Sequence, residues 1–108
     1  MITDKFQHIK QQIITSAKKR ILFLPHAIKQ MSRPDRIITA DEIRDTVVFG
    51  EIIEEYSEDR RGASCLVLHT MKNRAIHVVC APKPEYLAII TAYLPAPEQW
   101  SSDFKVRK

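Results

Sequence analysis

Two histidines in neighbouring strand-like segments are the first residues of this chain that could support chemistry. His69 lies near the end of the segment 64–70, and His77 lies in the segment 75–81. Successive side chains of a strand point to opposite faces, so the loop between the two segments decides whether the histidines meet. A loop with an odd number of residues sets them opposite each other, and a loop of two or four sets each opposite an apolar residue. The odd loop keeps histidine out of the apolar row, and we favour it.

Metal-independent cleavage of RNA needs a base for the ribose hydroxyl, an acid for the leaving oxygen and cations for the phosphate. His77 and His26 are the acid/base candidates. His26 follows Pro25 at a predicted helix start, where the helix dipole favours the neutral imidazole. Each histidine fits a structural, hydrogen-bonded role equally well. Tyr93 on the last strand would position the RNA, and this tyrosine can also be explained by packing alone.

Cationic and polar side chains near the predicted loops supply candidate substrate contacts. Lys72 and Arg74 frame one hairpin end and Arg36 lies in a polar turn, so these three could bind phosphate. With the odd loop, His69 and Thr91 share the open sheet face with His77 and complete the predicted substrate-binding set. Each basic residue taken alone also fits a solvated surface charge.

The periodicity of apolar residues predicts helices first and strands afterwards. The helices run to about residue 19, over 26–32 and over 40–49, where Thr39 and Glu42 form a capping box. Four strands follow, over 52–56, 64–70, 75–81 and 86–93, and residues 21–24 form a short strand or an extended connector. The prediction is a single α+β domain over 1–108, with N-terminal helices on one face of a twisted antiparallel sheet of about four strands. Residues 95–108 form a C-terminal tail that docks on the body through its apolar side chains Trp100, Phe104 and Val106.

Composition excludes several classes of protein. The chain has 108 residues and a formal net charge of +4, which permits contact with a polyanion such as RNA without requiring it. It has no apolar run of about 20 residues and no secretory pattern at its start, so we expect a cytoplasmic protein without a membrane contact. Cys65 and Cys80 are predicted to be buried free thiols. No nucleotide-binding or metal-ligand motif occurs, and no cofactor is expected.

An ordered set of short motifs resembles a family of small bacterial domains of unknown function. The motifs are Pro25-His26-Ala27, Thr39-Ala40-Asp41-Glu42-Ile43, Gly50-Glu51-Ile52-Ile53-Glu54, Ser64-Cys65-Leu66, His77-Val78-Val79 and Ile90-Thr91-Ala92-Tyr93. Such domains are similar in outline to the RelE, ParE and MqsR toxins. The resemblance implies a RelE-like fold, RNA cleavage without a metal and neutralisation by an antitoxin protein. The matching polar residues are His26, Glu51, Cys65, His77, Thr91 and Tyr93.

The sequence favours two functions and leaves open a different enzyme or a regulatory ligand-binding role. The first is a toxin of a toxin–antitoxin pair that acts as a metal-independent endoribonuclease. The second is a protein-interaction module with a RelE-like fold and no catalysis.

Overall fold

The computed structural model describes residues 6–58 and 62–108, and within them three helices pack on a five-stranded sheet. The helices are α1 (Gln7–Lys19), α2 (Pro25–Met31) and α3 (Ala40–Phe49). The strands are β1 (Ile21–Phe23), β2 (Glu51–Tyr56), β3 (Ser64–Met71), β4 (Arg74–Pro82) and β5 (Leu87–Tyr93). Their order across the sheet is β1-β5-β4-β3-β2. The sequence also indicates that Thr3-Asp4 can cap the first helix and that Arg60 and Arg61 lie in a charged loop, and these four residues lie outside the described part of the chain.

The sheet differs from the prediction in strand number and direction. It is mixed, because β1 pairs in parallel with β5 while the other neighbours are antiparallel. Backbone bonds frame this pairing, from the Leu87 amide to the Arg20 carbonyl at 2.8 Å and from the Leu24 amide to the Ile89 carbonyl at 3.0 Å. Three residues are too few for a periodicity to show, and the partner strand lies far along the chain. The sequence therefore left β1 undecided between strand and connector.

Apolar side chains from all three helices meet one face of the sheet, called the inner face. The helices contribute Ile9, Ile13, Ala27, Ile43 and Val47, the stretch before α3 contributes Ile38, and the sheet contributes Ile52, Cys65, Val67, Ile76, Val78, Cys80, Leu87, Ile89 and Ala92. These residues form one buried cluster, which is the main core of the domain. The opposite side of the sheet is called the outer face.

The start and end of α3 follow from local chemistry, as predicted. The Thr39 hydroxyl accepts from the Glu42 amide at 3.1 Å, and the Glu42 carboxylate accepts from the Thr39 amide at 2.9 Å. This is the predicted capping box. The helix ends before Gly50, where an added Cβ would meet the carbonyl oxygen of Leu68 at 2.6 Å. Glycine thus permits the chain to pass from α3 directly into β2.

The loop between β3 and β4 has two residues, so the preference for an odd loop is wrong. Met71 pairs with Arg74, and Lys72 and Asn73 form the turn with φ values of 52° and 64°. Positive φ at both central residues is the conformation of the tight hairpin turn whose twist matches the strands. His69 therefore pairs with Ile76 rather than with His77. The two histidines lie on opposite faces of the sheet.

An irregularity in the pairing of β4 with β5 changes which residues of β5 face the core. The register shifts between Val79 and Cys80, so that Val79 pairs with Thr91 and Cys80 pairs with Ile89. From the sequence, alternation along this strand predicts one row of Leu87, Ile89, Thr91 and Tyr93, with Thr91 and Tyr93 on the open face beside the histidines. Only the second half of this row is outer, because the extra residue reverses the alternation.

Candidate functional site on the outer face

His77 is a buried polar residue of the outer face. Its neighbours Ile76 and Val78 belong to the inner core, so alternation along β4 turns the imidazole the other way. The ring has no exposed surface. What covers it is the C-terminal segment, defined as residues 95–108.

Both ring nitrogens of His77 are engaged. Nε2 lies 2.9 Å from the backbone carbonyl oxygen of Phe104, and Nδ1 lies 3.3 Å from the Tyr93 hydroxyl. A carbonyl can only accept, so Nε2 carries the proton and Nδ1 accepts from the hydroxyl in the neutral ring. Burial lowers the pKa of His77 and outweighs the opposite effects of the Phe104 carbonyl and of Glu54. The ring is therefore held neutral, in a single tautomer.

Aromatic rings complete the enclosure of His77. The Trp100 ring meets the imidazole edge-on at a centroid distance of 4.5 Å, and the Tyr93 ring does so at 5.3 Å. Trp100 itself is only 3% exposed. The guanidinium of Arg107 lies 4.7 Å from the centre of the Trp100 ring, within cation–π range.

Next to His77, two side chains of β2 form a charged network with Arg107. Arg107 donates to both oxygens of Glu54, at 2.9 Å to Oε2 and 3.1 Å to Oε1, and it lies 3.4 Å from the Tyr56 hydroxyl. The Tyr56 hydroxyl also donates to Glu54. Burial alone would raise the pKa of Glu54, but the bonds from Arg107 and Tyr56 lower it overall. Burial and the Glu54 contact raise the pKa of Tyr56 to about 12, so this phenol stays protonated.

Strand pairing arranges the outer-face side chains in rows. One row is Glu51, Leu68, His77 and Tyr93, and the next is Glu54, Leu66, Val79 and Thr91. The C-terminal segment contacts both rows, since Lys105 pairs with Glu51 at 3.1 Å and Arg107 pairs with Glu54. The charged groups that the sheet itself contributes to these rows are carboxylates. The cations that neutralise them come from the C-terminal segment.

Arg74 and His69, two of the predicted substrate-binding residues, lie away from His77. The guanidinium of Arg74 donates to both carboxylate oxygens of Glu42, at 2.8 and 2.9 Å, and to the Ile37 carbonyl at 2.8 Å. Burial alone would raise the pKa of Glu42, but bonds from Thr39 and Arg74 lower it overall. Arg74 thus neutralises a buried carboxylate on α3. His69 follows the inner row beyond the end of α3 and is half-buried.

The remaining predicted residues are also dispersed. His26 is exposed on the first turn of α2, and Lys72 is exposed in the hairpin turn. Arg36 pairs with Asp35 at 3.5 Å and lines a small hollow together with Tyr93. Thr91 and Tyr93 are on the outer face and half-buried. Of the predicted catalytic set, the structure brings together only His77 and Tyr93.

A cleft of about 620 Å³ opens between the end of α3, the β3–β4 hairpin and the C-terminal segment. Its lining includes Phe49, His69, Arg74 and Lys105. Arg74 and Lys105 are already paired with Glu42 and Glu51. The two cations are therefore largely neutralised, and the cleft is a weak candidate for binding a phosphate.

Sequence reasoning missed the charged members of the outer-face cluster. Glu54 and Tyr56 lie two residues apart on one strand, a spacing that places them on the same side, and this was the available signal. Arg107 gave no signal, because its partners lie about fifty residues away in sequence. Trp100 was singled out as an apolar anchor of the tail, but its contact with His77 was not foreseen.

Residues 6–58 and 62–108 were also compared with the requirements of a metal site and of a reactive thiol. No group of three or more His, Cys, Asp or Glu side chains there is placed to hold a metal ion. Cys65 and Cys80 are free and buried, as predicted, with their sulfur atoms 3.9 Å apart. No helix in the described part of the chain is both long and apolar enough to cross a membrane.

Comparison with known proteins gives one match. Neither a curated protein nor a solved structure matches this sequence. The model of a domain of unknown function, DUF4258, matches residues 23–94, which run from β1 through the end of β5. The match covers the outer-face residues of the sheet and ends where the C-terminal segment begins. The chain belongs to the DUF4258 family.

Proposed function

We propose that this domain works by binding another protein through the outer face of its sheet, without chemistry of its own. The observation that carries the proposal is the burial of His77. His77, which lies beside Tyr93, has no exposed surface and uses both nitrogens in bonds within the protein. A surface whose histidine is buried and fully hydrogen-bonded is better suited to packing against a protein segment than to transferring protons at a phosphate.

The charges around His77 support the same proposal. The rows of the outer face carry Glu51 and Glu54, whereas Arg74 is bonded to Glu42 on α3. An RNA phosphate brought to this face would approach carboxylates, which repel it. A cationic protein segment would be attracted, and the contacts of Arg107 with Glu54 illustrate such an attraction.

Co-expression with the product of the neighbouring gene, a possible antitoxin, tests the proposal. Thr91→Arg adds a bulky cation to the half-buried outer face, whereas Thr15→Arg adds the same group to an exposed position of α1. We expect stoichiometric co-purification for wild type and Thr15→Arg, and its loss for Thr91→Arg. Equal co-purification by both variants would show that the partner binds elsewhere. Absence of a complex with wild type would count against this partner.

A metal-independent endoribonuclease, acting as the toxin of a toxin–antitoxin pair, is the second candidate. It is favoured by the gathering of Glu54, His77, Tyr93 and Arg107 on one face. A carboxylate, an imidazole, a phenol and a guanidinium include the base, acid and cation that such cleavage needs. In this version the C-terminal segment must move before His77 meets RNA, and the exposed His26 has no part.

Cleavage of RNA in the presence of a chelator tests the second candidate. The proteins to compare are wild type, Trp100→Ala, which loosens the cover over His77, and the double variant Trp100→Ala/His77→Gln. If the second candidate is correct, cleavage should be faster with Trp100→Ala than with wild type and should disappear in the double variant. If none of the three cleaves RNA, or if the double variant cleaves as fast as Trp100→Ala, the outer face is not a nuclease site.

A further inference from the structure

The C-terminal segment is folded largely upon itself. Trp100 and Arg107 form a bridge, and backbone bonds join the Ser101 amide to the Val106 carbonyl and the Lys108 amide to the Gln99 carbonyl, at 2.8 and 3.0 Å. Its contacts with the sheet include the side chains of Trp100, Lys105 and Arg107 and the backbone carbonyl of Phe104. The segment therefore has the form of a small preformed turn laid on a surface, rather than of a sixth strand.

The boundary of the family match falls at the base of this turn. The matched region ends at Leu94, and the segment starts with Pro95 and Pro97 on either side of Ala96. Proline holds its own φ and biases the preceding residue to extended backbone. The outer face thus belongs to the family domain, while its cover belongs to a separate stretch joined by a stiff connection.

The contacts of the cover show what chemistry the face accepts. His77 donates its N–H to a backbone carbonyl and packs its ring at a near-right angle to an aromatic ring, and Glu54 binds a guanidinium. The bridge between Trp100 and Arg107 presents the aromatic and cationic groups side by side. Glu51 adds a second carboxylate, which Lys105 meets. The complementarity is therefore to a basic turn that carries an aromatic residue.

We infer that the outer face is a docking groove for a basic turn with adjacent aromatic and arginine side chains, and that residues 95–108 occupy it as an internal ligand. A partner protein would present a turn of the same chemistry and displace the chain's own. The inference rests on the proposed protein-binding function and adds to it the character of the partner. It also makes partner binding a competition with the C-terminal segment.

A binding experiment with the full-length protein tests this competition. The probe is a fluorescent synthetic peptide with the sequence of residues 95–108, and fluorescence anisotropy reports its binding. Arg107→Glu places a carboxylate against Glu54 and should release the internal segment. Lys108→Glu makes the same change of charge at the neighbouring exposed position and serves as the matched control. We expect the Arg107→Glu protein to bind the peptide at least about tenfold more tightly than wild type or Lys108→Glu, since the groove is then vacant. A peptide with Trp100→Ala should bind poorly to all three.

Nuclear magnetic resonance titration of the His77 ring separates the possible failures. Release of the segment should move the pKa of His77 upward in Trp100→Ala, because the ring becomes solvated. Arg107→Glu raises this pKa even without release, because Arg107 itself lowers it. If this pKa rises in Trp100→Ala and the Arg107→Glu protein still does not bind the peptide, the internal-ligand inference is overturned, while the protein-binding proposal still depends on the Thr91→Arg experiment. If Trp100→Ala leaves the pKa of His77 unchanged, the segment is an integral part of the domain and the inference is overturned as well.

Discussion

The two faces of the sheet are covered in different ways. The inner face receives apolar side chains from three helices, and fifteen buried apolar residues form its cluster. The outer face around His77 receives one turn, held by an imidazole–carbonyl bond, an aromatic contact and two ion pairs. Burial of apolar area is nearly independent of pH and of moderate salt, whereas ion pairs and imidazole bonds depend on both.

This difference indicates a division of roles between the faces. The inner face holds the fold together, because the larger cluster of buried apolar side chains lies there. The outer face can be uncovered at lower cost, because detaching a turn removes few backbone bonds of the sheet. A surface that opens without unfolding the domain is suited to binding a partner. Four predictions can break or sharpen this contrast.

The largest effect is expected for a truncation in the inner core. Ile43 on α3 has no exposed surface, and Ile43→Ala should lower the free energy of unfolding by about 3 kcal/mol through lost burial and a residual cavity. Urea denaturation measures this loss. Ile37→Ala, at a position that is 57% exposed, is the matched control and should cost less than about 0.5 kcal/mol. Equal losses for the two variants would contradict the assignment of the core.

Truncation of Trp100, which packs on the outer face, should lower the free energy of unfolding less than truncation of Ile43 in the inner core. Trp100→Ala is expected to lower the free energy of unfolding by about 1–2 kcal/mol, because the turn can detach instead of leaving a cavity. Hydrogen exchange should then accelerate at the amides of Ser101 and Phe104, with little change at Val78. A loss as large as that of Ile43→Ala, with faster exchange throughout the sheet, would show that the two faces form one cooperative unit.

Acid should weaken the outer face before the inner one, because His77 is held neutral. Its pKa in the folded protein lies below the ordinary 6.5, so the unfolded chain takes up the proton first. Stability from this group is complete above about pH 6.5 and declines as the pH falls towards the folded pKa, by at most about 1.4 kcal/mol per pH unit. The carboxylates Glu42 and Glu54 have lowered pKa values and add their own loss only below about pH 4.5.

Thermal unfolding of wild type and His77→Gln at several pH values measures this acid effect. The glutamine variant can keep an N–H for the Phe104 carbonyl but cannot take up a proton. Its stability should change less between pH 6.5 and pH 5 than that of wild type. Parallel curves for the two proteins would assign the acid sensitivity to other groups.

The smallest losses of stability are expected for the ion pairs between the C-terminal segment and β2. Lys105 and Glu51 are 43% and 59% exposed at their side chains, so Lys105→Ala should cost less than about 0.5 kcal/mol. Arg107→Ala should cost more, about 1 kcal/mol, because its bonds to Glu54 are bidentate and it also stacks on Trp100. Urea denaturation at low and high sodium chloride measures both losses. If Lys105→Ala costs as much as Arg107→Ala, the stacking and the bidentate geometry contribute nothing.

The structure was predicted correctly where residues close in sequence determine it. The bounds of α3 were predicted correctly, because Thr39, Glu42 and Gly50 act within a few residues of one another. The register of the β3–β4 hairpin was not predicted correctly. Its turn residues Lys72 and Asn73 adopt positive φ, and a lysine in the sequence gives little indication of such a conformation. The preference for an odd loop assumed that an inner histidine would be buried. His69 avoids that cost because it lies beyond the end of α3 and is half-buried beside the cleft.

The candidate site was less predictable than the fold, because its members meet only in three dimensions. Tyr93 and His77 were chosen for their side-chain types and are paired across β4 and β5. Glu54 and Arg107 stand about fifty residues apart, and no local pattern links them. Arg74 was predicted to bind phosphate because of its position near a loop, but its guanidinium forms an ion pair with the buried carboxylate of Glu42. Such competition between partners follows from tertiary packing and leaves no periodic trace in the sequence.

The facing thiols at the centre of the sheet provide a built-in reporter of unfolding. Cys65 and Cys80 are directly opposed across β3 and β4 and are fully buried. The hydrogen bond between their sulfur atoms, together with burial, raises the pKa of Cys80. A protonated, enclosed thiol hardly reacts with an alkylating reagent. Labelling therefore has to wait for the central strands to separate, so its rate would record openings of the whole domain and ignore a turn that merely lifts from the surface.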